Sequence, residues 1–220
     1  MAADVDEYGI PIIADPVSSS ERKRASIVEA AVGEFLREGY AAASVDKIAR
    51  RAGVSKPTIY QHFGNKERLF LAVTAGVLTE AYEGLEPLDR SIPDEPGALR
   101  SALTAYLAAW SRRVLCEDIL ALRRLVIGEV GRFPQLGRLW FKITREMMDA
   151  PLIETVTELG ARGVLDAPDP ERAVRQLIGM TLGGLQLVLT FLPEEKAEDR
   201  DIDGTVAAGV EVFLSHYGHR

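Results

Sequence analysis

A fourteen-residue stretch from Gly53 to Lys66 decides the fold, and it reads GVSKPTIYQHFGNK. Glycine takes the left-handed backbone conformation at little cost, so Gly53 predicts the end of one helix and the start of a tight turn. Ser55 can cap the next helix through its hydroxyl, and Pro57 falls in the first turn, where a missing N–H costs little. Gly64 predicts the end of that short helix.

The residues just before this turn predict another short helix. Between Ser44 and Ala52 the apolar residues recur with the spacing of one helical face, at Val45, Ile48, Ala49 and Ala52. Ser44 is placed to cap this helix with its hydroxyl. Two short helices joined by a glycine turn form a helix-turn-helix, a unit that lays its second helix in the major groove of DNA.

The longer run from Ile48 to Glu67 resembles the DNA-binding signature of TetR-family transcriptional regulators, and the resemblance covers roughly residues 21–77. The positions that carry it are Ala52-Gly53-Val54-Ser55-Lys56, Tyr60, Phe63-Gly64 and Asn65-Lys66-Glu67. The resemblance implies an all-α fold with about nine helices. A three-helix DNA-binding head would be followed by a C-terminal helical domain for ligand binding and dimerisation.

Three segments are predicted along the chain. Residues 1–20 are expected to be a mostly disordered tail, residues 21–66 the helix-turn-helix domain, and residues 67–220 the helical effector-binding and dimerisation domain. Helical patterns cover residues 21–38, 65–83, 98–115, 118–130, 136–159, 169–192 and 205–217, and residues 86–97 read as a loop. Pro151 falls inside one of these patterns and predicts a kink or a break.

The charge distribution favours DNA binding by the head. The net charge of the whole chain is −7, which by itself argues against a nucleic-acid partner. Residues 21–68, however, hold ten Lys and Arg against six Asp and Glu, a net charge of +4. Because the local field sets the attraction of phosphates, the basic excess lies where a DNA-binding head needs it.

Nine residues are predicted to contact a double-stranded DNA operator. Thr58 and Gln61 are placed to read base edges, and Pro57 to meet a thymine methyl group. The residues suited to phosphates are Ser44, Ser55, Tyr60, His62 and Lys66, while Lys56 suits either role. The resemblance implies a backbone contact for Lys66, whereas Gln61 departs from the aromatic residue or histidine common in the family. Each of these residues could instead be a cap or an exposed polar side chain.

The basic start of the first helix is a further candidate for phosphate contacts. Arg22, Lys23 and Arg24 crowd this helix start. They could touch the DNA backbone from the flank, or they could form an ordinary solvated helix end.

The C-terminal helices are predicted to form a homodimer interface. The 18 uncharged residues between Arg175 and Glu194 predict a helix buried on two sides, by its own domain and by a partner subunit. The resemblance implies that the last two helices of each subunit pair into a four-helix interface. The predicted interface residues are Gly179, Gly183, Leu187, Val206, Val210 and Phe213. A core within one chain is the alternative for this surface.

An effector pocket is implied by the resemblance, inside the C-terminal helices and mainly apolar. Its candidate residues are Tyr106, Trp110, Arg123, Ile127, Phe141, Met180 and Gln186, each of which could also be an ordinary core residue. The function expected is a dimeric repressor released from a pseudo-palindromic operator by a small apolar or amphipathic effector, with activation left open. The alternative is a helical small-molecule-binding protein that does not bind DNA sequence-specifically.

No catalytic residue, metal site or cofactor is predicted. The three histidines His62, His216 and His219 lack metal-ligand spacing, and the single Cys116, expected to be buried, cannot form an intramolecular disulfide. The first residues lack a signal-peptide pattern, which predicts a cytoplasmic protein. The uncharged stretch is too polar to predict a membrane span.

Overall fold

Helices make up the structure, a computed structural model that describes residues 19–83, 88, 92 and 96–218. Its helices are α1 (Ser19–Ala42), α2 (Val45–Ala52), α3 (Lys56–Phe63), α4 (Lys66–Tyr82), α5 (Pro96–Val114), α6 (Glu117–Glu129), α7 (Pro134–Thr144), α8 (Ala150–Ala161), α9 (Pro170–Ile178), α10 (Gly184–Phe191) and α11 (Ile202–Tyr217). Two π turns, Arg145–Asp149 and Gly179–Gly183, join α7 to α8 and α9 to α10. Nine continuous helices therefore run through this part of the chain, as the all-α prediction required.

Two compact units divide the chain. The first holds residues 1–80 and 121–143, and the second holds residues 81–120 and 144–220. The first unit thus contains α1–α3, most of α4, and most of α6 and α7. The predicted functional boundary after residue 66 stays a prediction, because compactness does not report which residues bind DNA or a ligand.

An aromatic cluster forms the core of the first unit. The Tyr40 ring lies 5.2 Å from the Phe70 ring and 4.9 Å from the Phe133 ring, and the Phe35 and Phe70 rings lie 5.0 Å apart. Phe35 and Phe70 are fully buried. The cluster joins the end of α1 to α4 and to the turn between α6 and α7.

Gly39 bends α1 before its last turn. Its backbone has φ 76° and ψ 169°, a conformation open essentially to glycine alone. The sequence predicted that the first helix ends at Gly39, and the helix instead resumes after this residue to Ala42. The bend brings Tyr40 into the aromatic cluster and leads the chain into the N-cap of α2.

A π turn accommodates Pro151, which the sequence left as a kink or a break. The turn Arg145–Asp149 ends one residue before α8, and Pro151 is the second residue of α8. The wider i→i+5 pattern changes the hydrogen-bond register just before the proline, which has no N–H to donate. The helix therefore continues through both elements.

The core of the second unit takes in residues that were predicted to face a partner subunit. Val206, Val210 and Phe213 of α11 are fully buried within the chain. They were predicted as dimer-interface residues, and this placement is a correction, because their stripe packs inside the unit that contains α5 and α9. The apolar periodicity of α11 predicts that one face is buried, but it does not predict whether the same chain or a partner subunit covers that face.

Gly209 is the glycine of this unit that allows two segments to approach closely. A Cβ atom there would lie 2.7 Å from the Thr181 methyl and 3.1 Å from the Met180 carbonyl carbon. Gly179 and Gly183, which were predicted to allow a helix to approach, have no such atom within 4 Å among the described residues.

The stretch Pro170–Phe191 is long and apolar enough to cross a membrane by length and composition alone. Its most apolar window has a mean hydropathy of 1.2, and 33% of that window is buried. One such helix is weak evidence, because helices of soluble proteins pass the same criteria.

Several remaining predictions meet the structure only in part. Ser19 and Ser20, assigned to the tail, begin α1, whereas residues 1–18 lie outside the described part. Most of the predicted loop at residues 86–97 and His219 also lie outside it. Cys116 is exposed between α5 and α6, so the expectation of a buried thiol is wrong.

We predict that Gly39→Ala lowers the free energy of unfolding by about 2 kcal/mol, because a Cβ strains this backbone conformation. Gly53→Asn serves as the control: Gly53 has φ 67° and ψ 29°, which asparagine tolerates, so the loss should stay below about 1 kcal/mol. Urea unfolding followed by circular dichroism measures both. Equal losses would contradict the assignment of strain to Gly39.

Candidate nucleic-acid interface

Short-range capping builds the turn between α2 and α3 as the sequence predicts. The Ser44 hydroxyl accepts the Lys47 N–H at 3.4 Å, and Gly53 ends α2 in the left-handed conformation. The Val54 N–H donates to the Ala49 carbonyl at 3.0 Å. The Ser55 hydroxyl accepts the Thr58 N–H at 3.2 Å and starts α3. These bonds set the angle at which α3 leaves the turn.

The outer face of α3 presents three of the predicted DNA-contacting residues. Pro57, Tyr60 and Gln61 are exposed, while Ile59 and Phe63 are buried against the head. Tyr60 exposes 39% of its surface. One face of an eight-residue helix therefore anchors it, and the other is open to a partner.

The hydroxyl groups of Ser55, Thr58 and Ser44 lie near α3 and the start of α2. Ser55 Oγ and Thr58 Oγ1 lie 2.8 Å apart, and both also belong to the cap of α3. Ser44 Oγ caps α2, while its backbone N–H donates to Glu34 Oε1 at 3.0 Å. Glu34 is 3% exposed and also accepts from Arg37 at 2.8 Å. Ser44 is therefore held in place from α1.

Lys56 forms an ion pair with Asp46 across the two helices. The Lys56 Nζ atom lies 3.0 Å from Asp46 Oδ2, and both side chains are substantially exposed. The hydrogen bond to Asp46, and then the charge of Asp46, raise the pKa of Lys56. Asp46 was not predicted to lie beside the DNA-contacting residues of α3, although it follows the N-cap Ser44 by two residues.

Arg24 turns inward instead of joining Arg22 and Lys23 at the solvent. Its guanidinium lies 4.7 Å from the centre of the Phe63 ring, and Nη1 donates to the His62 carbonyl at 3.4 Å. Its Nε and Nη2 are buried and have no acceptor among the described residues, and burial lowers the pKa of Arg24. Burial also lowers the pKa of His62, with Arg24 and Lys23 adding to the effect.

Lys66 lies over the Tyr40 ring. Its ammonium is 4.9 Å from the ring centre and donates to the Ala41 carbonyl at 3.2 Å. Burial lowers the pKa of Lys66. The Arg132 guanidinium lies 5.7 Å from the centre of the same ring. A phosphate contact by Lys66 would therefore share its ammonium with the Ala41 carbonyl or replace that bond.

The seven predicted pocket residues do not share one environment. Tyr106, Trp110, Met180 and Gln186 belong to the second unit, whereas Arg123, Ile127 and Phe141 belong to the first. Ile127 is 49% exposed and Phe141 is 76% exposed, so the prediction that they line an interior site is wrong. Phe141 lies about 200° around the helix from the buried Leu139, which places it on the outer side of α7.

Trp110 and Tyr106 remain pocket candidates. Trp110 is 2% exposed, and its indole Nε1 has no hydrogen-bond acceptor in the described part of the chain. Its ring stacks on Tyr82 with 6.4 Å between centroids and an interplanar angle of 28°. Burial raises the pKa of Tyr106.

A capped helix-turn-helix on a basic head defines the class of DNA-binding transcriptional regulators. A model of bacterial regulatory proteins of the tetR family matches residues 27–73. A model of the C-terminal domain of AefR-like transcriptional repressors matches residues 101–219, which is more than half of the chain. The protein belongs to the TetR family of transcriptional regulators.

Individual relatives agree with this assignment. The transcriptional activator FasR of Mycolicibacterium smegmatis is 40% identical over 86 residues, which are 39% of this chain and 39% of FasR, well under two thirds of that relative. A crystal structure of a TetR-family regulator from Mesorhizobium loti is 31% identical, covers 92% of this chain and 100% of the other, and has a TM-score of 0.83. The flavonoid-responsive regulator FrrA is 31% identical, covers 90% and 98%, and has a TM-score of 0.65.

We predict that Lys66→Gln weakens binding to any duplex and reduces the salt dependence of the binding constant by about 0.9 for each phosphate that the lysine neutralises. Glutamine keeps a polar, uncharged side chain at this position and removes the charge. Tyr60→Phe should weaken binding without changing the salt slope, since a hydroxyl releases no counterion.

Fluorescence anisotropy with a labelled duplex at several salt concentrations measures both quantities. Lys196→Gln removes the same charge from an exposed position in the second unit and is the control. Unchanged affinity and slope in Lys66→Gln would rule out its role as a phosphate contact.

Proposed function

We propose that this protein is a dimeric, ligand-responsive transcriptional repressor that binds a pseudo-palindromic DNA operator. The observation that carries the proposal is α3, which is capped by Ser55, anchored by Ile59 and Phe63, and open to a partner at Pro57, Tyr60 and Gln61. Membership of the TetR family supports the same function. Repression is favoured over activation because the C-terminal half matches a model of repressors, although the relative FasR is an activator. Such a regulator acts in the cytoplasm, where its operator lies.

The two reading helices of a dimer would enter successive major grooves on one side of the duplex. Half-site centres about 34–36 Å apart, or a small multiple of that distance, follow from the helical repeat of DNA. Pro57, Thr58 and Gln61 would face the base edges, and the hydroxyls and cations around them would hold the backbone.

Binding of the full chain to the DNA upstream of its own gene tests the proposal, with a random duplex of equal length as the control. We expect tight and sequence-selective binding to the upstream DNA that weakens steeply with salt. If both duplexes bind equally weakly, selection from a random DNA pool comes next. A pool that yields no preferred sequence would favour the alternative of a small-molecule-binding protein.

A second copy of the chain is the partner proposed for an exposed apolar surface of the second unit. On α10 and just after it, Leu187 is 60% exposed, Phe191 70% and Leu192 42%, while Val212 on α11 is 54% exposed. Several exposed large apolar side chains within one compact unit are typical of an interface. We define Leu187, Phe191, Leu192 and Val212 as the α10–α11 surface. Val206, Val210 and Phe213, which were predicted for the interface, are fully buried and do not belong to it.

We predict that Leu187→Asp shifts the protein from dimer to monomer, with a dimer dissociation constant raised at least about tenfold, because a charge would be buried without a partner. Sedimentation velocity over a range of concentrations measures the shift. Phe141→Asp is the matched control, since Phe141 is even more exposed but lies in the first unit. A dimer that tolerates Leu187→Asp, or that Phe141→Asp disrupts instead, would refute the α10–α11 surface.

The effector proposed is a planar aromatic molecule that carries a hydrogen-bond acceptor. A buried donor without an acceptor costs about 1–3 kcal/mol, and an acceptor on a ligand would recover that cost at Trp110 Nε1. The Trp110 and Tyr82 rings stack on each other and are buried, so an aromatic ligand would reach the donor by taking a place in this packing. The Tyr82 hydroxyl lies 3.4 Å from the Thr144 hydroxyl. A relative named for its response to flavonoids supports this class of ligand.

The effector would act by binding the conformation whose two heads are wrongly spaced for the operator.

The chain contains only two tryptophans, Trp110 and Trp140. Fluorescence of the Trp140→Phe variant therefore reports on Trp110 alone. A compound that both quenches this signal and releases the operator would identify the effector.

A further inference from the structure

An acidic residue lies among the predicted DNA contacts of the head. Asp46 is exposed in the first turn of α2, and its carboxylate lies 3.0 Å from the ammonium of Lys56, the first residue of α3. Lys56 itself is predicted to contact DNA. An anion at this position is repelled by every phosphate of an approaching duplex.

The ion pair has a local reason to form. A lysine at a helix N-terminus lies near the positive end of the helix dipole, which disfavours it. The carboxylate of Asp46 offsets this at α3, and its own place in the first turn of α2 is favourable. In the absence of DNA, Lys56 therefore lies in this pair, which holds its exposed side chain weakly.

Binding to DNA sets the phosphates against this arrangement. The ammonium of Lys56 has three N–H donors, so it contacts a phosphate or a guanine edge either by sharing its charge between Asp46 and the new partner or by leaving Asp46. In both cases Asp46 is less well neutralised and lies close to a phosphate of like charge. Both effects weaken the complex with any duplex, whatever its sequence.

We propose that Asp46 is an electrostatic brake on DNA binding, which restrains Lys56 and so lowers the affinity for non-specific DNA. The brake rests on the proposed function. Because the penalty is independent of sequence, a stable complex then requires the base contacts that only an operator supplies. Asp46 is thus a residue that sets the affinity of the head for any duplex without reading a base.

The variant Asp46→Asn should bind DNA more tightly than the wild type. A gain of affinity is a clear test because a misfolded variant would lose affinity. One unit charge about 6 Å from a phosphate in water changes affinity about threefold, so a dimer should gain about tenfold at low salt. The probe is a random-sequence duplex, titrated by fluorescence anisotropy at several salt concentrations. We also expect a steeper salt slope, by up to about 0.9 per protomer, because Lys56 no longer exchanges an internal partner.

Glu198→Gln is the control for net charge. Glu198 is an exposed acid of the second unit that lies 4.0 Å from Lys196. Its removal changes the total charge as Asp46→Asn does, and we expect less than about a twofold change in affinity, because screening limits the reach of an exposed charge.

The double variant Asp46→Asn with Lys56→Gln tests whether the brake acts through Lys56. The gain in the Lys56→Gln background measures the direct repulsion between Asp46 and the phosphates, and the gain in the wild-type background should be larger because it also frees Lys56. A gain in the wild-type background no larger than that in the Lys56→Gln background, or an Asp46→Asn affinity equal to or below that of the wild type, would overturn the brake. A wild-type protein that binds no duplex at any salt concentration would overturn the proposed function as well, and the two failures are thereby distinguished.

Discussion

Burial of the Tyr40 ring is the contact on which the first unit depends. Phe70 of α4 and Phe133, in the turn before α7, pack against it at 5.2 and 4.9 Å, and the cations of Lys66 and Arg132 lie over the ring. One ring therefore touches the end of α1, the start of α4 and the α6–α7 turn. Because close-packed side chains do not move independently, a shift of that turn would alter the packing at Lys66.

Helix α3, which is proposed to read the DNA bases, depends on other helices for its position. α2 and α3 contain eight residues each, and isolated helices shorter than about 12 residues are marginal in water. The first helix supports the ends of both: Ser26 Oγ donates to the Ala52 carbonyl and Arg24 to the His62 carbonyl, each at 3.4 Å. The guanidinium of Arg24 over Phe63 adds a cation–π contact to this support. The orientation of α3 toward DNA is thus set largely by α1.

Sequence reasoning succeeded where structure is decided by residues a few positions apart. The caps at Ser44 and Ser55 and the left-handed Gly53 follow from local backbone chemistry, so the helix-turn-helix could be predicted with its bounds. It failed where the outcome depends on which surfaces meet. The stripe containing Phe213 was known to be buried but not by what, and the outward position of Phe141 is decided by how α7 is rotated about its axis. The inward turn of Arg24 likewise depends on a residue 39 positions away, Phe63.

Several of the side chains that were predicted to contact DNA already form polar contacts within the chain in the absence of DNA. Thr58 Oγ1 lies 2.8 Å from Ser55 Oγ, Lys66 donates to the Ala41 carbonyl, and Lys56 is paired with Asp46. Where a phosphate took the place of one of these partners, the net gain for that contact would be the small difference between the two bonds. At Lys66 the partner within the chain is a neutral carbonyl, so binding a phosphate there still releases a counterion from the DNA. At Lys56 the partner is a carboxylate that already neutralises the lysine, so fewer counterions are released. Lys66 can therefore contribute more to affinity than Lys56, although both are lysines at the start of a helix.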